Sequence, residues 1–482
     1  MTKSTKHERT VRMNANNIKT LMTNLLIIIT AALFGTGCGK GHSNPTPTPP
    51  VDTTKTVTYK DPAQYGTPFG GVPATKDIVM YEVNMQTYTP ANFMGVDVRL
   101  DSIKALGVNV IWLMPTYPIG VLKAVGSPYA VKDYTGVNAN FGTLDDLRKL
   151  VADAHTRNMA VILDWVADHT SWDNAWISNK SWYKQDGSGN IISPPNTNFA
   201  DVAALNYNST PMRTAMIRAM KYWVFTANID GFRCDYADAV PDNFWTQALD
   251  TLSNIKTHKL IYLAEGTNGS EITDGFQLGY AFGFYGTLKG AFGGTQSPSA
   301  ILTTNSTEVA SLPSPGLKLR YITNHDDASS DGSVLKIYNS KQGSLAAFVI
   351  AAYLDGVPLI YDSQEVGYPN PINFFTNVPV DYTANPDMVA AYKQIIAFRA
   401  AHEAVKTGTL TTYNDASIVA FEKKSGTDDV LILVNATNAV VNYNVPAALQ
   451  NTTWLNGYTG ASVTVGTQVA MQPYGYLVLK KN

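Results

Sequence analysis

The residues equipped to act on a bond are acids set at intervals through the middle of the chain. Arg233 and Asp235 close Ile229-Asp230-Gly231-Phe232-Arg233-Cys234-Asp235, a short apolar run that ends on charge. Successive side chains of a strand point to opposite faces, so Arg233 and Asp235 share one face and Phe232 and Cys234 the other. A guanidinium beside a carboxylate favours the ionised form, and an ionised carboxylate aimed into a cavity can act as a nucleophile. By itself an Arg-x-Asp pair is more often a buried structural ion pair. Here other short runs end in the same way, on Asp164-Trp165-Val166-Ala167-Asp168-His169, Leu263-Ala264-Glu265 and Thr323-Asn324-His325-Asp326. Ser127-Pro128-Tyr129 and Asp133-Tyr134 follow another. Burying several carboxylates together is costly unless they are paired or used.

Such fragments need a frame that gathers strand ends. Asp77–Val83, Val108–Leu113, Ala160–Trp165, Ile229–Asp235, Leu260–Glu265, Leu319–Thr323 and Val357–Tyr361 are short runs rich in β-branched residues. Gln277–Phe284 is a weakly marked eighth. Segments of helical periodicity separate most of them; one carries Leu144, Leu147, Leu150, Val151 and Ala154 behind Thr143 as N-cap, with Asp146 three residues on. Strands alternating with helices imply a parallel sheet. Eight such units close into a (β/α)8 TIM barrel, an α/β fold with its catalytic groups at the C-terminal ends of the strands. A doubly wound open sheet is the alternative.

The link between the third and fourth runs is too long for a simple loop. It holds Trp172, Trp176, Trp182, Tyr183, Pro194-Pro195 and the turn Asp186-Gly187-Ser188-Gly189-Asn190. Residues 171–210 therefore read as a small excursion domain over the barrel's mouth, between barrel segments 61–170 and 211–402. Beyond His402 come Ile418–Glu422, Val430–Val434, Val440–Val445 and Tyr476–Leu479 with no helical stripe between them. Residues 403–482 are expected to form a C-terminal antiparallel β-sandwich domain.

The 482 residues, 45% hydrophobic and with a net charge of -2, supply a large core and no polyelectrolyte character, so no nucleic-acid partner is expected. At 11% aromatic against 15% charged, the balance leans towards ligands with flat, hydroxyl-rich faces. Residues 1–38 read as a targeting segment. Lys3, Lys6, Arg9, Arg12 and Lys19 give a basic start, and the apolar run Leu25–Phe34 is too short to span a bilayer. It closes on Gly35-Thr36-Gly37-Cys38, which resembles a bacterial lipoprotein signal and implies a membrane anchor through acylated Cys38. Residues 39–60 form a stiff Pro/Thr-rich tether. Gly39-Lys40-Gly41-His42 carries no acidic residue, which favours the periplasmic face of the outer membrane over the cell surface. With Cys38 acylated, Cys234 has no disulfide partner.

In order and spacing the motifs resemble the α-amylase family, glycoside hydrolase family 13, over residues 77–480. The likeness includes Gly356-Val357-Pro358-Leu359-Ile360-Tyr361 with Gln364-Glu365, and, in the C-terminal part, Trp454-Leu455-Asn456 and Gln472-Pro473-Tyr474-Gly475-Tyr476. The resemblance implies Asp235 as nucleophile, Glu265 as acid/base and Asp326 as the third carboxylate. It implies Tyr129, His169 and His325 around the sugar, Arg233 beside the nucleophile, and Asp164 bracing Arg233. Many members hold a calcium ion, partly through positions that here are Asp168 and Ala204. Asp168 could ligate a hard cation; Ala204 could not, so structural calcium is doubtful and the chemistry itself needs no cofactor. The Lys-His pair common after the nucleophile's strand is replaced by Asp238-Ala239. The implied activity is retaining hydrolysis of α-1,4 bonds in starch-derived glucans or maltooligosaccharides. A glucan transglycosylase or isomerase on the same scaffold and a catalytically silent glucan-binding lipoprotein are the alternatives.

Overall fold

A computed structural model describes residues 59–413 and 415–481. The chain divides into Met1–Tyr59 and Lys60–Asn482, and every described strand and helix belongs to the second unit. The expected signal peptide with Cys38, and nearly all of the tether, lie outside the described residues. Among the described residues no helix is long and apolar enough to cross a membrane.

Eight strands close a parallel barrel. In chain order they are β1 (Met80–Val83), β2 (Val110–Leu113), β3 (Ala160–Val166), β6 (Gly231–Asp235), β7 (Ile261–Ala264), β8 (Leu278–Tyr280), β9 (Leu317–Arg320) and β10 (Val357–Tyr361), with two short strands, β4 (His169–Ser171) and β5 (Val202–Ala204), between β3 and β6. The open-sheet alternative falls because β1 pairs with both β2 and β10. Strand alternation sorts the core into two layers. Met80, Val110, Trp112, Ile162, Leu263 and Leu359 fill the barrel interior, while Tyr81, Ile111, Val161, Phe232 and Cys234 face the surrounding helices. Arg233 therefore points inward, as the alternation predicts.

The helix Leu144–Thr156 starts on the expected capping box, Thr143 with Asp146, and buries Leu147, Leu150, Val151 and Ala154. Two boundaries differ from the sequence reading. The expected strand Leu319–Thr323 is shifted, β9 ending at Arg320, so that Asn324 caps a short helix His325–Ser330. Gln277–Phe284 holds only the three residues of β8 before a helix begins at Phe282. An unbroken apolar run gives periodicity nothing with which to separate strand from helix.

At the start of the excursion segment β4 pairs antiparallel with β5, His169 opposite Ala204. The C-terminal part opens on a helical turn, Glu403–Thr407, and then forms a six-stranded antiparallel sheet in the order β11 (Thr409–Thr412), β12 (Ile418–Ser425), β13 (Asp428–Asn435), β18 (Tyr476–Lys480), β15 (Thr452–Asn456), β16 (Ser462–Val465). A two-stranded sheet, β14 (Val441–Asn444) with β17 (Gln468–Met471), supplies Tyr443 and Met471 to the core over one face, which carries Ile418, Ala420, Leu431 and Leu433. Val419, Phe421, Val430 and Ile432 on the other face join the barrel's outer core.

Candidate active site

At the C-terminal ends of the strands a cavity of about 490 Å³ is lined by Tyr129, His169, Asp235, Glu265, His325 and Asp326, with Tyr236, Phe199, Phe374 and Phe375 at its walls. All three expected acids meet there with Tyr129, His169 and His325, the residues expected around the sugar. Arg233 and Asp164 do not: both side chains are fully buried beneath it.

Arg233 organises the floor. Its Nη1 donates to Asp235 Oδ1 at 2.6 Å and to Asp164 Oδ1 at 2.8 Å, while Nη2 lies 2.9 Å from Glu265 Oε2. One planar fork thus holds the carboxylates of β6 and of the residue following β7, a use that suits guanidinium better than ammonium. Trp112 Nε1 and the Tyr129 hydroxyl each donate to Asp164 Oδ2 at 3.2 Å. Asp164 accordingly braces Arg233 and Tyr129 together rather than touching the cavity.

Burial pushes the Asp235 carboxyl up to about 6, against the pull of Arg233 and with that of Asp164. The guanidinium alone therefore does not decide its charge; desolvation outweighs it. Burial likewise pushes Glu265 up to about 7, opposed by Arg233 and helped by Asp235. Near neutral pH the first is mostly ionised while the second still carries much of its proton. Pairs of acids whose environments hold their affinities apart can divide acid and nucleophile roles.

His325 forms the third side. Burial works against its charge, but Asp326 and Glu82 hold the ring's proton up to about 10. The charged ring donates from Nδ1 to Glu82 Oε1 at 2.5 Å and from Nε2 to the Tyr129 hydroxyl at 2.9 Å. Asp326, whose side chain is 56% exposed, reaches 3.3 Å from the same Nε2. His169 Nε2 meets the Tyr129 carbonyl at 3.1 Å, and its Nδ1 meets Asp168 Oδ2 at 2.9 Å.

Tyr236 directly follows the β6 acid in a left-handed conformation, φ 42° and ψ 47°. For a residue with a Cβ this costs about 1–2 kcal/mol. Its N–H donates to Glu265 Oε2 at 2.7 Å. With Arg233 on the same oxygen, Oε2 is held as an acceptor and the proton of Glu265 is left to Oε1.

Of the two positions raised for calcium, only Asp168 has a side-chain oxygen. Ala204 offers no side-chain oxygen, and its carbonyl accepts from Lys184 N–H at 2.9 Å. The Asp168 carbonyl accepts from Leu205 N–H at 3.0 Å, leaving Asp168 Oδ1 as a single buried oxygen without a partner. Among the described residues no three His, Cys, Asp or Glu side chains form a group that could hold a metal.

The model of the alpha-amylase catalytic domain matches residues 74–190. Alpha-amylase 2 of Dictyoglomus thermophilum is 23% identical over 415 residues, covering 80% of this chain and 70% of the relative. Alpha-amylase MalA of Haloarcula japonica is also 23% identical, over 439 residues, with 85% and 63% covered. By sequence the chain is similar to the alpha-amylase family. It is an alpha-amylase-like glycoside hydrolase, with a fold like that of the maltogenic alpha-amylase AmyB from Thermotoga neapolitana (TM-score 0.76, 23% identity, 84% of this chain and 99% of that one).

Trp172, Trp176, Trp182 and Tyr183 of the excursion segment do not line the cavity. Trp176 packs on Tyr134 and Trp182, the Tyr183 hydroxyl bonds Thr170, and Trp172 donates to the Ala200 carbonyl beneath Lys123. The cavity's aromatic walls come instead from Phe199, Tyr236, Phe374 and Phe375, none singled out from sequence. Phe374 and Phe375 sit in a loop without periodicity, which gave no signal. Glu82 did leave one: an acid inside the apolar run Met80-Tyr81-Glu82-Val83, fully buried in β1.

Proposed function

We propose that the protein is a retaining glycosidase that hydrolyses α-1,4 bonds of starch-derived glucans or maltooligosaccharides. One observation carries this reading: Asp235 and Glu265 grip the two ends of one buried guanidinium, Nη1 and Nη2 of Arg233. Retaining enzymes set their two carboxyl groups only about 5–5.5 Å apart, whereas inverting ones leave room for a water. Carboxylates on a shared fork suit the shorter spacing.

In the first step Asp235 attacks the anomeric carbon while Glu265 Oε1 gives its proton to the departing glycosidic oxygen. In the second, water attacks the same carbon, its proton returns to Glu265, and the bond to Asp235 breaks. Asp326, the charged His325 and His169 bind hydroxyls of the reacting sugar, and Tyr129 flanks its ring. Asp326 favours the positive charge that develops there. Arg233 and Asp164 work from below by holding the acids and Tyr129.

Transfer to a sugar instead of water uses the same residues and is the second reading, because Glu265 serves either acceptor. A silent binder is disfavoured by the presence of all three acids in one cavity. Proton NMR of the first product formed from maltoheptaose is the test. An α-anomer appearing first is expected; a β-anomer first would refute retention, and no cleavage beside activity on isomaltose would refute the linkage.

A further inference from the structure

Tyr236 is 42% exposed at the cavity wall between the two central acids. Among the described residues its ring meets no aromatic or cationic partner and its hydroxyl makes no hydrogen bond. Its backbone is nevertheless held firmly in the left-handed region: its N–H donates to Glu265 Oε2, its carbonyl accepts from Ala239 N–H at 3.0 Å, and Ala237 N–H reaches the Glu265 carbonyl at 3.0 Å. A tyrosine kept in a backbone state that favours glycine, with its ring unspent, points to a use for that ring. We propose that Tyr236 is the platform for the sugar on the leaving-group side of the scissile bond, and that it governs whether the covalent intermediate passes to a sugar or to water.

The proposal rests on the retaining reading above. Glu265 meets the glycosidic oxygen, so the ring fixed to Glu265 through one residue's backbone lies on the departing side. Tyr129 bonds both His169, through its carbonyl, and His325, through its hydroxyl, and these three take the sugar on the other side of the scissile bond. Aromatic faces bury the apolar faces of sugar rings. In transfer, an acceptor hydroxyl oxygen bonds to the anomeric carbon as the ester bond to Asp235 breaks. The electron pair returns to Asp235, and the hydroxyl proton passes to the Glu265 carboxylate.

The test uses α-maltosyl fluoride as donor, whose leaving group occupies no sugar site, with labelled maltose as acceptor. The transfer product per fluoride released reports partition from one intermediate. Tyr236→Ala is expected to lower that fraction about tenfold, and Tyr236→Phe to hold it within about twofold. Mere misplacement of Glu265 would slow water and sugar alike and leave the fraction unchanged, so an unchanged fraction in Tyr236→Ala overturns the proposal. Tyr236→Gly is the second variant; glycine accepts the backbone state, so its melting temperature should be no lower than wild type while its fraction falls as in Tyr236→Ala. A wild type that releases fluoride but forms no transfer product overturns the platform alone. One that releases no fluoride overturns the retaining reading with it.

Discussion

Arg233 Nη1 and Asp164 Oδ1 lie 2.8 Å apart with neither side chain exposed to solvent. Removing one member of such a pair leaves a buried charge with less to offset it, at about 3–5 kcal/mol. Asp164→Ala should lower unfolding stability by that order in a urea titration, and Asp164→Asn by less, because the amide keeps the shape and one acceptor. A wild-type midpoint for Asp164→Ala would show that Asp164 is not the brace.

The central acids should fail singly and together to nearly the same extent. Asp235→Asn and Glu265→Gln each remove a role the other cannot fill, so the double variant should turn over little more slowly than either one. Steady-state rates on maltoheptaose measure this; wild-type turnover in Asp235→Asn would refute its assignment as nucleophile.

The pH profile follows from the two carboxyl groups. Activity needs Asp235 ionised, so kcat/KM should rise through about 6. It needs Glu265 protonated, so kcat/KM should fall through about 7. The limbs belong to the interacting pair rather than to either residue alone. A profile flat from about pH 5 to about pH 9 would contradict the burial argument.

Stability carries the opposite mark of the same acid. Burial raises Glu265 above its usual value, so the folded state holds the proton more tightly than the unfolded chain does. That contribution is full below the unfolded value of 4.5 and is lost as pH rises through about 7. Glu265→Gln mimics the protonated form. It should therefore be more stable than wild type at about pH 8, by on the order of 1–3 kcal/mol, with the gap closing near about pH 4.5. Melting curves at the two pH values check both the sign and the closure.

Two proposals concern what surrounds the chemistry. Melting temperature and turnover should survive excess EDTA, since Ala204 supplies no side-chain ligand beside Asp168; a loss of both that calcium restores would refute this. Cells expressing Cys38→Ala should release the protein from the membrane fraction, as the basic start, short apolar run and small residues before Cys38 imply. A variant still in the membrane pellet would sink the anchor.

What the sequence determined by itself was whatever local periodicity and short spacing encode. Alternation along β6 set Arg233 and Asp235 on one face, and the capping box at Thr143 marked a helix start, because neighbours within a strand or turn are bound by backbone geometry. The order of strand-end acids carried the barrel and its candidate site for the same reason. Only the tertiary structure decided which groups meet from distant elements. Glu82 and His325 bond across 243 positions of sequence. Whether a tryptophan of the excursion segment turned to the cavity or to its own core also depended on packing, and Trp176 and Trp182 turned to each other. The charge states of Asp235 and Glu265 were decided there too. Desolvation depends on everything that closes over a carboxylate, and no spacing of residues along the chain reports it.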